Sequence, residues 1–248
     1  MRRNRQTLPI AIGAIVLVAL WEIIGRTQFF GTTFPPLSKV FEVLISGQRQ
    51  RLFLTAIGAT ASSAGLGLLI GGGIAILFAA TRQAVAITRP GLDRLAAAIH
   101  AIPQIGIAPV MIIMLGRENA PIAVACIATF FPAYAAATRA FSAAASAHQD
   151  LFTALGSSRM DRLARLELPA ALPGLFDALR LAAPGAVLGA VLGEWFGAPR
   201  GVGLIILSSS QNFDIPMLWA AAVLATLMAM IGFGLFTIVQ KAAARRFA

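Results

Sequence analysis

Residues 52–80 carry neither a charged side chain nor a proline. About 20 apolar residues wound as a helix cross the hydrocarbon core of a bilayer. In that solvent each backbone amide has to bond within its own helix. A run of this length therefore predicts a membrane-spanning helix, and the same test finds others. We expect six spans, at approximately 8–25, 52–80, 95–115, 121–140, 174–195 and 216–240. The fold class is then an all-α integral membrane protein with six transmembrane helices. It forms one domain over 1–248, with a polar loop at 141–173 between the fourth and fifth spans. Pro103 and Pro109 interrupt the third span and Pro132 the fourth. Such prolines suit helices that line a pathway, and they also occur as kinks in plain bundles. Pro35-Pro36 predicts a turn, with Ser38 capping a short helix through Leu44. Residues 204–212 read as a re-entrant or interfacial piece.

Composition agrees with lipid as the main solvent. Charged residues make up 12% of the chain, against about 25% in soluble domains. A net charge of +10 would suit a nucleic-acid reader if the basic side chains clustered on one polar face. They are dispersed between apolar runs, so nucleic acid is not an expected partner. The single cysteine, Cys126, excludes an intrachain disulfide, and with only His100 and His148 beside it no metal site is expected. The basic leader Met1-Arg2-Arg3-Asn4-Arg5 precedes an apolar run without a small-x-small cleavage site, so we expect a retained first helix with Trp21 near the outer interface. The glycines at 65, 67 and 71–73 would cradle phosphate only within a Gly-Lys-Ser/Thr sequence. The two lysines, Lys39 and Lys241, follow a serine and a glutamine. No Walker A site exists here, and neither H-E-x-x-H nor G-x-S-x-G appears. The chain is not expected to be an enzyme. Gly67 and Gly71 instead form a small-xxx-small pair for close helix packing.

Orientation follows from the basic residues. With the leader inside, the inner segments and helix ends hold fourteen lysines and arginines and the outer segments six. Cytoplasmic loops carry the excess, so both termini and the 141–173 loop are expected in the cytoplasm.

That loop holds the densest polar stretch, residues 150–173, with three arginines, two aspartates and a glutamate. Asp150 is expected to cap a short helix, and Gly156 to end it with positive φ. Ser158-Arg159-Met160-Asp161 reads as a capping box opening a second short helix. Pro169 disfavours helical geometry at Leu168 and should stop it. Two short helices at a glycine elbow make a compact knob. The other reading is an amphipathic loop lying on lipid headgroups.

Gly156, nine further residues, then Leu166-Glu167-Leu168-Pro169, with Asp150 six residues before the glycine, resembles the EAA loop of ABC importer permeases. Their pattern is E-A-A-x-x-x-G, nine residues, I-x-L-P; Asp150 replaces the glutamate, Leu151-Phe152 the alanines and Leu166 the isoleucine. Gly193-Glu194-Trp195 followed by Gly201-Val202-Gly203-Leu204-Ile205 is similar to the nitrate/sulfonate/taurine branch, with Val202 a mild departure. The resemblance implies a permease subunit in a bacterial inner membrane, moving a small solute by alternating access. It implies a coupling role toward a cytoplasmic ATPase for Asp150, Leu151, Ala154, Gly156, Ser157, Arg159, Leu166, Leu168 and Pro169. It implies as partners ATPase subunits, an external solute-binding protein and a second permease copy, with membrane lipid around them. No cofactor is expected on this chain; ATP and magnesium belong to the ATPase. Sulfonate-like anions, nitrate, vitamin precursors and aromatic compounds all fit as solutes.

His100, Gln104 and Glu194 are candidate pathway or gate residues. His100 and Gln104 lie one helical turn apart, on one face of the expected third helix; a hydrogen-bonded packing role is equally open. Glu194 lies at the outer end of the fifth span, as a gate residue or as an acid reaching out to water. Asp177 and Arg180 are spaced to pair. Arg159, Arg162 and Arg165 face either lipid or the ATPase. A stand-alone secondary transporter is the alternative function, although no internal repeat and no carboxylate at mid-membrane depth is evident.

Overall fold

The computed structural model describes residues 4–143 and 146–247. Arg2 and Arg3 of the leader and loop residues 144 and 145 lie outside the described residues. The helices in chain order are α1 (Asn4–Arg26), α2 (Leu37–Ile45), α3 (Gly47–Ala84), α4 (Arg89–Ala101), α5 (Gln104–Leu115), α6 (Ala120–Phe141), α7 (Ser146–Ala154), α8 (Arg159–Arg162), α9 (Leu168–Glu194), α10 (Val202–Gln211) and α11 (Ile215–Phe247). Among the described residues there is no strand. Among the described residues four helices are long and apolar enough to cross a membrane: Gly47–Ala84, Ala120–Phe141, Arg159–Glu194 and Ile215–Arg245.

A fifth candidate span is broken. The third run is not one helix over 95–115 but α4 and α5, set at 91° to each other. Pro103 is the cause: its ring drives the preceding residue out of helical geometry, and Ile102 takes an extended ψ of 123°. Pro109 sits inside α5 without ending it. His100 closes α4 and Gln104 opens α5, so they do not share a helix face.

α6 is the centre of the bundle, packed against α3 on one side and α9 on the other. Its buried surface is rich in alanine, and Ala125, Ala133, Ala137 and Ala140 share a core cluster with Ala171, Ala178, Ala182, Ala186 and Ala190 of α9. In lipid, helices gain little from hydrophobicity as such, and small residues let their backbones approach closely. The Gly67/Gly71 pair is where α3 meets α6: a Cβ on Gly71 would run into the Cys126 carbonyl. On the other side a Cβ on Gly189 would lie 2.7 Å from Ala125 Cα and 2.8 Å from Ala128 Cβ.

A second cluster, including Val40, Phe53, Val202, Ile205, Met217 and Ala220, joins α2, α3, α10 and α11. Nearby, Trp21 donates its indole N–H to Pro35 O (3.1 Å) and Trp219 donates to Thr33 O (3.0 Å). The α2 start differs from expectation. Ser38 does not cap it; the helix begins at Leu37 behind Pro36. Glu22 of α1 takes over the capping, accepting from the Ser38 amide (3.0 Å) and hydroxyl (2.8 Å). A full carboxylate at a helix N-terminus meets both the free amides and the positive end of the dipole.

The glycine contacts give a prediction. Gly189→Val should destabilise the folded chain by about 1–3 kcal/mol, the usual cost of overpacking. Gly73→Ala, with no atom within 4 Å of its added carbon, should be neutral or stabilising by up to about 1 kcal/mol, since alanine is the better helix former. Thermal unfolding of the two variants in detergent separates these outcomes.

Candidate functional site

The elbow is built from two caps placed back to back. α7 ends in a Schellman arrangement: Gly156 takes φ +68°, its N–H donates to Thr153 O (3.0 Å), and the Ser157 N–H reaches back to Phe152 O (3.0 Å). That φ costs residues other than glycine roughly 1–2 kcal/mol. Ser158 then turns extended and opens α8, its hydroxyl oxygen accepting from the Asp161 N–H (3.1 Å) while its O–H donates to the Asp161 carboxylate. Asp150 is not a cap. α7 starts a full turn earlier, at Ser146, so Asp150 stands exposed within the helix.

Nor does Pro169 stop anything. Arg159–Glu194 is one continuous helix of 36 residues. Its turn at Leu163–Glu167 is a π-helix, with the Leu168 N–H donating to Leu163 O, and Leu168 itself is helical (φ −66°, ψ −48°). A π turn widens the helix and shifts the hydrogen-bond ladder by one residue. Here it falls just where Pro169 lacks a donor and its ring would crowd the preceding turn. The second arm of the elbow is therefore the N-terminal end of the long apolar helix Arg159–Glu194 itself.

The elbow is fastened to the end of α3. Arg159 donates to the last carbonyls of that helix, Gln83 O (2.7 Å) and Ala84 O (2.8 Å), a cation at the negative end of a helix dipole. Glu167, only 6% exposed, accepts from the Gln83 side chain (3.0 Å) and pairs with Arg162 at 3.6 Å. Arg162 also donates to the Thr153 hydroxyl (3.3 Å), across the elbow. Arg165 stays at the surface, loosely paired with Asp161 (3.8 Å). Leu151, Leu155 and Met160 stand exposed on the two arms, Leu155 at 72%. Ala154 and Leu168 are exposed, Leu166 and Ser157 half-buried, and Pro169 is exposed. The nine residues picked from the sequence thus fall on one elbow. Gln83, Arg162 and Glu167, which hold it, were missed as a set; the one hint was the lone acid between two leucines in Leu166-Glu167-Leu168.

A second polar junction ties α3, α4 and α6. Arg82 donates two hydrogen bonds to Asp93 (2.8 and 3.1 Å), and the Tyr134 hydroxyl adds a third to the same carboxylate (2.7 Å). On α9, Asp177 and Arg180 pair at 2.6 Å, as their spacing predicts, and Arg180 lies 5.1 Å from the centre of the Phe233 ring.

At the other end of the bundle Glu194 does not reach water; it is 1% exposed. Thr60 of α3 donates its hydroxyl to the carboxylate (2.8 and 3.0 Å) and accepts from the Val202 N–H (2.9 Å). The Gly203 N–H donates to Glu194 Oε2 (2.8 Å). Gly201, at φ +142°, leaves room for the carboxylate, which a Cβ there would overlap. The Gly-Val-Gly sequence, seven to nine residues after Glu194, is thus its counterpart. His100 is exposed and stacks on Phe131 at 4.3 Å, whereas Gln104 is half-buried with Oε1 shielded and unbonded. Beside the Glu194 junction, a polar cavity of about 460 Å³ is bordered by Thr55, Ser62, Ser63, Arg117, Glu118 and Arg200. Among the described residues no group of three or more His, Cys, Asp or Glu is placed to hold a metal.

The profile of the family described as "Binding-protein-dependent transport system inner membrane component" matches residues 71–248. The formylaminopyrimidine transport permease of Halalkalibacterium halodurans is 28% identical, over 94% of this chain and 93% of its own length. A probable ABC transporter permease of Haemophilus influenzae is 30% identical, over 83% and 84% respectively. Among solved structures, a chain of the methionine ABC transporter in an inward-facing conformation superposes with a TM-score of 0.66. It is 17% identical and covers 80% of this chain and 99% of that one, a likeness of fold.

The elbow gives the second prediction. Ser158→Ala should cost about 1 kcal/mol locally, and Gly156→Val about 1–2 kcal/mol through its φ. Both should speed hydrogen exchange at residues 152–162 while α6 amides stay protected.

Proposed function

The chain belongs to the binding-protein-dependent transport system inner membrane components, and from that membership we propose that its elbow is the handle by which a cytoplasmic ATPase works the membrane helices. Members of this family are membrane-spanning permease subunits of ABC transporters for small solutes. ATP hydrolysis resides in a separate subunit, and a solute-binding protein completes the importer. The reading adds residues to that frame. Leu151, Leu155 and Met160 present an apolar surface on the two arms of an elbow that Arg159 and Glu167 fasten to α3, and exposed apolar side chains rimmed by charge suit a protein partner. That surface is the observation that carries the proposal.

In this account the elbow faces the cytoplasm with both termini, as the excess of basic residues in the inner segments favours. ATP and magnesium are held by the partner subunit and not by this chain. Two copies of the permease line a pathway between them, surrounded by lipid. Closure of the ATPase dimer draws the two elbows, α9 moves with each, and access switches from one side of the membrane to the other. Arg159 and Arg162 are turned inward to α3, Glu167 and Thr153, which leaves Arg165 as the elbow arginine free to meet ATPase or lipid headgroup.

For the solute, a small nitrogen heterocycle is the first reading. The relative matched over nearly its full length is a formylaminopyrimidine permease, and the deep helix segments hold no fixed cation except Arg180, which is paired with Asp177. An anion is the second reading, favoured by Arg117 and Arg200 at the cavity mouth.

The handle is tested by co-expression with the partner ATPase. Leu155→Asp should reduce the ATPase recovered with the permease about tenfold, as expected for a central apolar contact, while the permease remains folded. Undiminished recovery and transport in that variant would count against the elbow as the contact. The chain purified alone should hydrolyse no ATP. Competition of uptake by a heterocycle or by an alkyl sulfonate decides between the two solute classes.

A further inference from the structure

Glu194 is the last residue of the continuous helix whose first residue, Arg159, opens the elbow. At about 1.5 Å per residue, that helix carries the elbow at one end and the buried carboxylate at the other. We propose that Glu194 is a positioning residue: it clasps α3 and the start of α10 to the outer end of α9, so that a movement of the elbow is delivered to α10 as the movement of one rigid group.

The observations bear on each part. Every polar contact of Glu194 is with a donor, namely the Thr60 hydroxyl and the Gly203 amide, and among the described residues no cation shares the site. An acid buried with donors alone is met by the α10 N-terminus and one hydroxyl. Hydrogen bonds are directional, so the carboxyl group orients α10 and does not merely pack against it. Thr60 closes the ring by accepting from Val202, which makes three helices depend on one carboxylate. The fourth neighbour, α6, reaches this end through Pro121, whose Cα lies 2.6 Å from where a Cβ on Gly193 would stand. Neither gate residue nor water-seeking acid describes this arrangement; it is a fastening.

The clasp itself rests on geometry, and only its use in transport rests on the elbow reading. The test uses the assembled transporter with Cys126→Ala, and spin labels on Leu54→Cys at the outer end of α3 and Ser210→Cys on α10, both exposed. With labelled permease diluted into unlabelled copies, the parent should give one narrow α3–α10 distance with and without ATP. Thr60→Val and Glu194→Gln should each broaden it and lower the solute moved per ATP hydrolysed about tenfold, within the range by which residues between two sites alter coupling. Thr60→Ser, which keeps the donor, should restore both readings. Narrow distances with unchanged coupling in Thr60→Val and Glu194→Gln would overturn the proposal. So would loss of transport with the distance still narrow. A third label, on Ala164→Cys, exposed on the second arm of the elbow and outside the proposed contact, separates the two ideas: broadening in the clasp variants with no ATP response at the elbow leaves the clasp standing and removes the handle.

Discussion

One unbroken helix, Arg159–Glu194, is what the rest of the structure leans on. It stays unbroken because a π turn at Leu163–Glu167 accommodates Pro169, which would otherwise end it. It stays in place because its buried face, largely alanine and glycine, packs against the alanine-rich face of α6. Bulky side chains there would hold the helices farther apart. With the backbones this close, any axial or tilting motion of α9 has to involve its neighbours, since a packed interface of this kind does not deform smoothly.

The acids show the same economy. Isolated carboxylates in a membrane protein are costly, and each well-buried acid here is given its own donors. Glu167 has Gln83 and Arg162; Glu194 has Thr60 and the Gly203 amide. Asp93, more open, has Arg82 and Tyr134. Each of these junctions joins helices that are distant in sequence, and two of them fall at the two ends of the same span. The polar residues of this chain are thus fasteners first. The polar cavity is bordered instead by hydroxyls and small side chains of α3, beside Arg117 and Arg200.

Much of this was legible beforehand, for a definite reason. Long uncharged runs in lipid have only one backbone solution, so the all-helical class and the regions of the apolar helices follow from hydropathy. Gly156 and Ser158 were legible because caps are local: their partners lie within five residues. What local rules missed was settled by partners far along the chain. Ser38 looked like a cap, but Glu22 sits over the same helix start. Asp150 looked like a cap because the helix start four residues earlier carries no stronger signal than Ser146. Pro103 and Pro109 look alike in sequence, yet one breaks the chain by 91° and the other lies within α5. Glu194 drew attention as an acid in an apolar run, while its role depended on Thr60, more than a hundred residues away.

The most direct measurement is the sidedness of the elbow. Asn119 precedes α6 and Ser157 follows it, so the two mark opposite ends of that span. In intact cells a membrane-impermeant maleimide should label Asn119→Cys and leave Ser157→Cys untouched until the membrane is permeabilised. Labelling of Ser157→Cys from outside, with Asn119→Cys protected, would put the elbow on the wrong face for any ATP-driven partner and contradict the account.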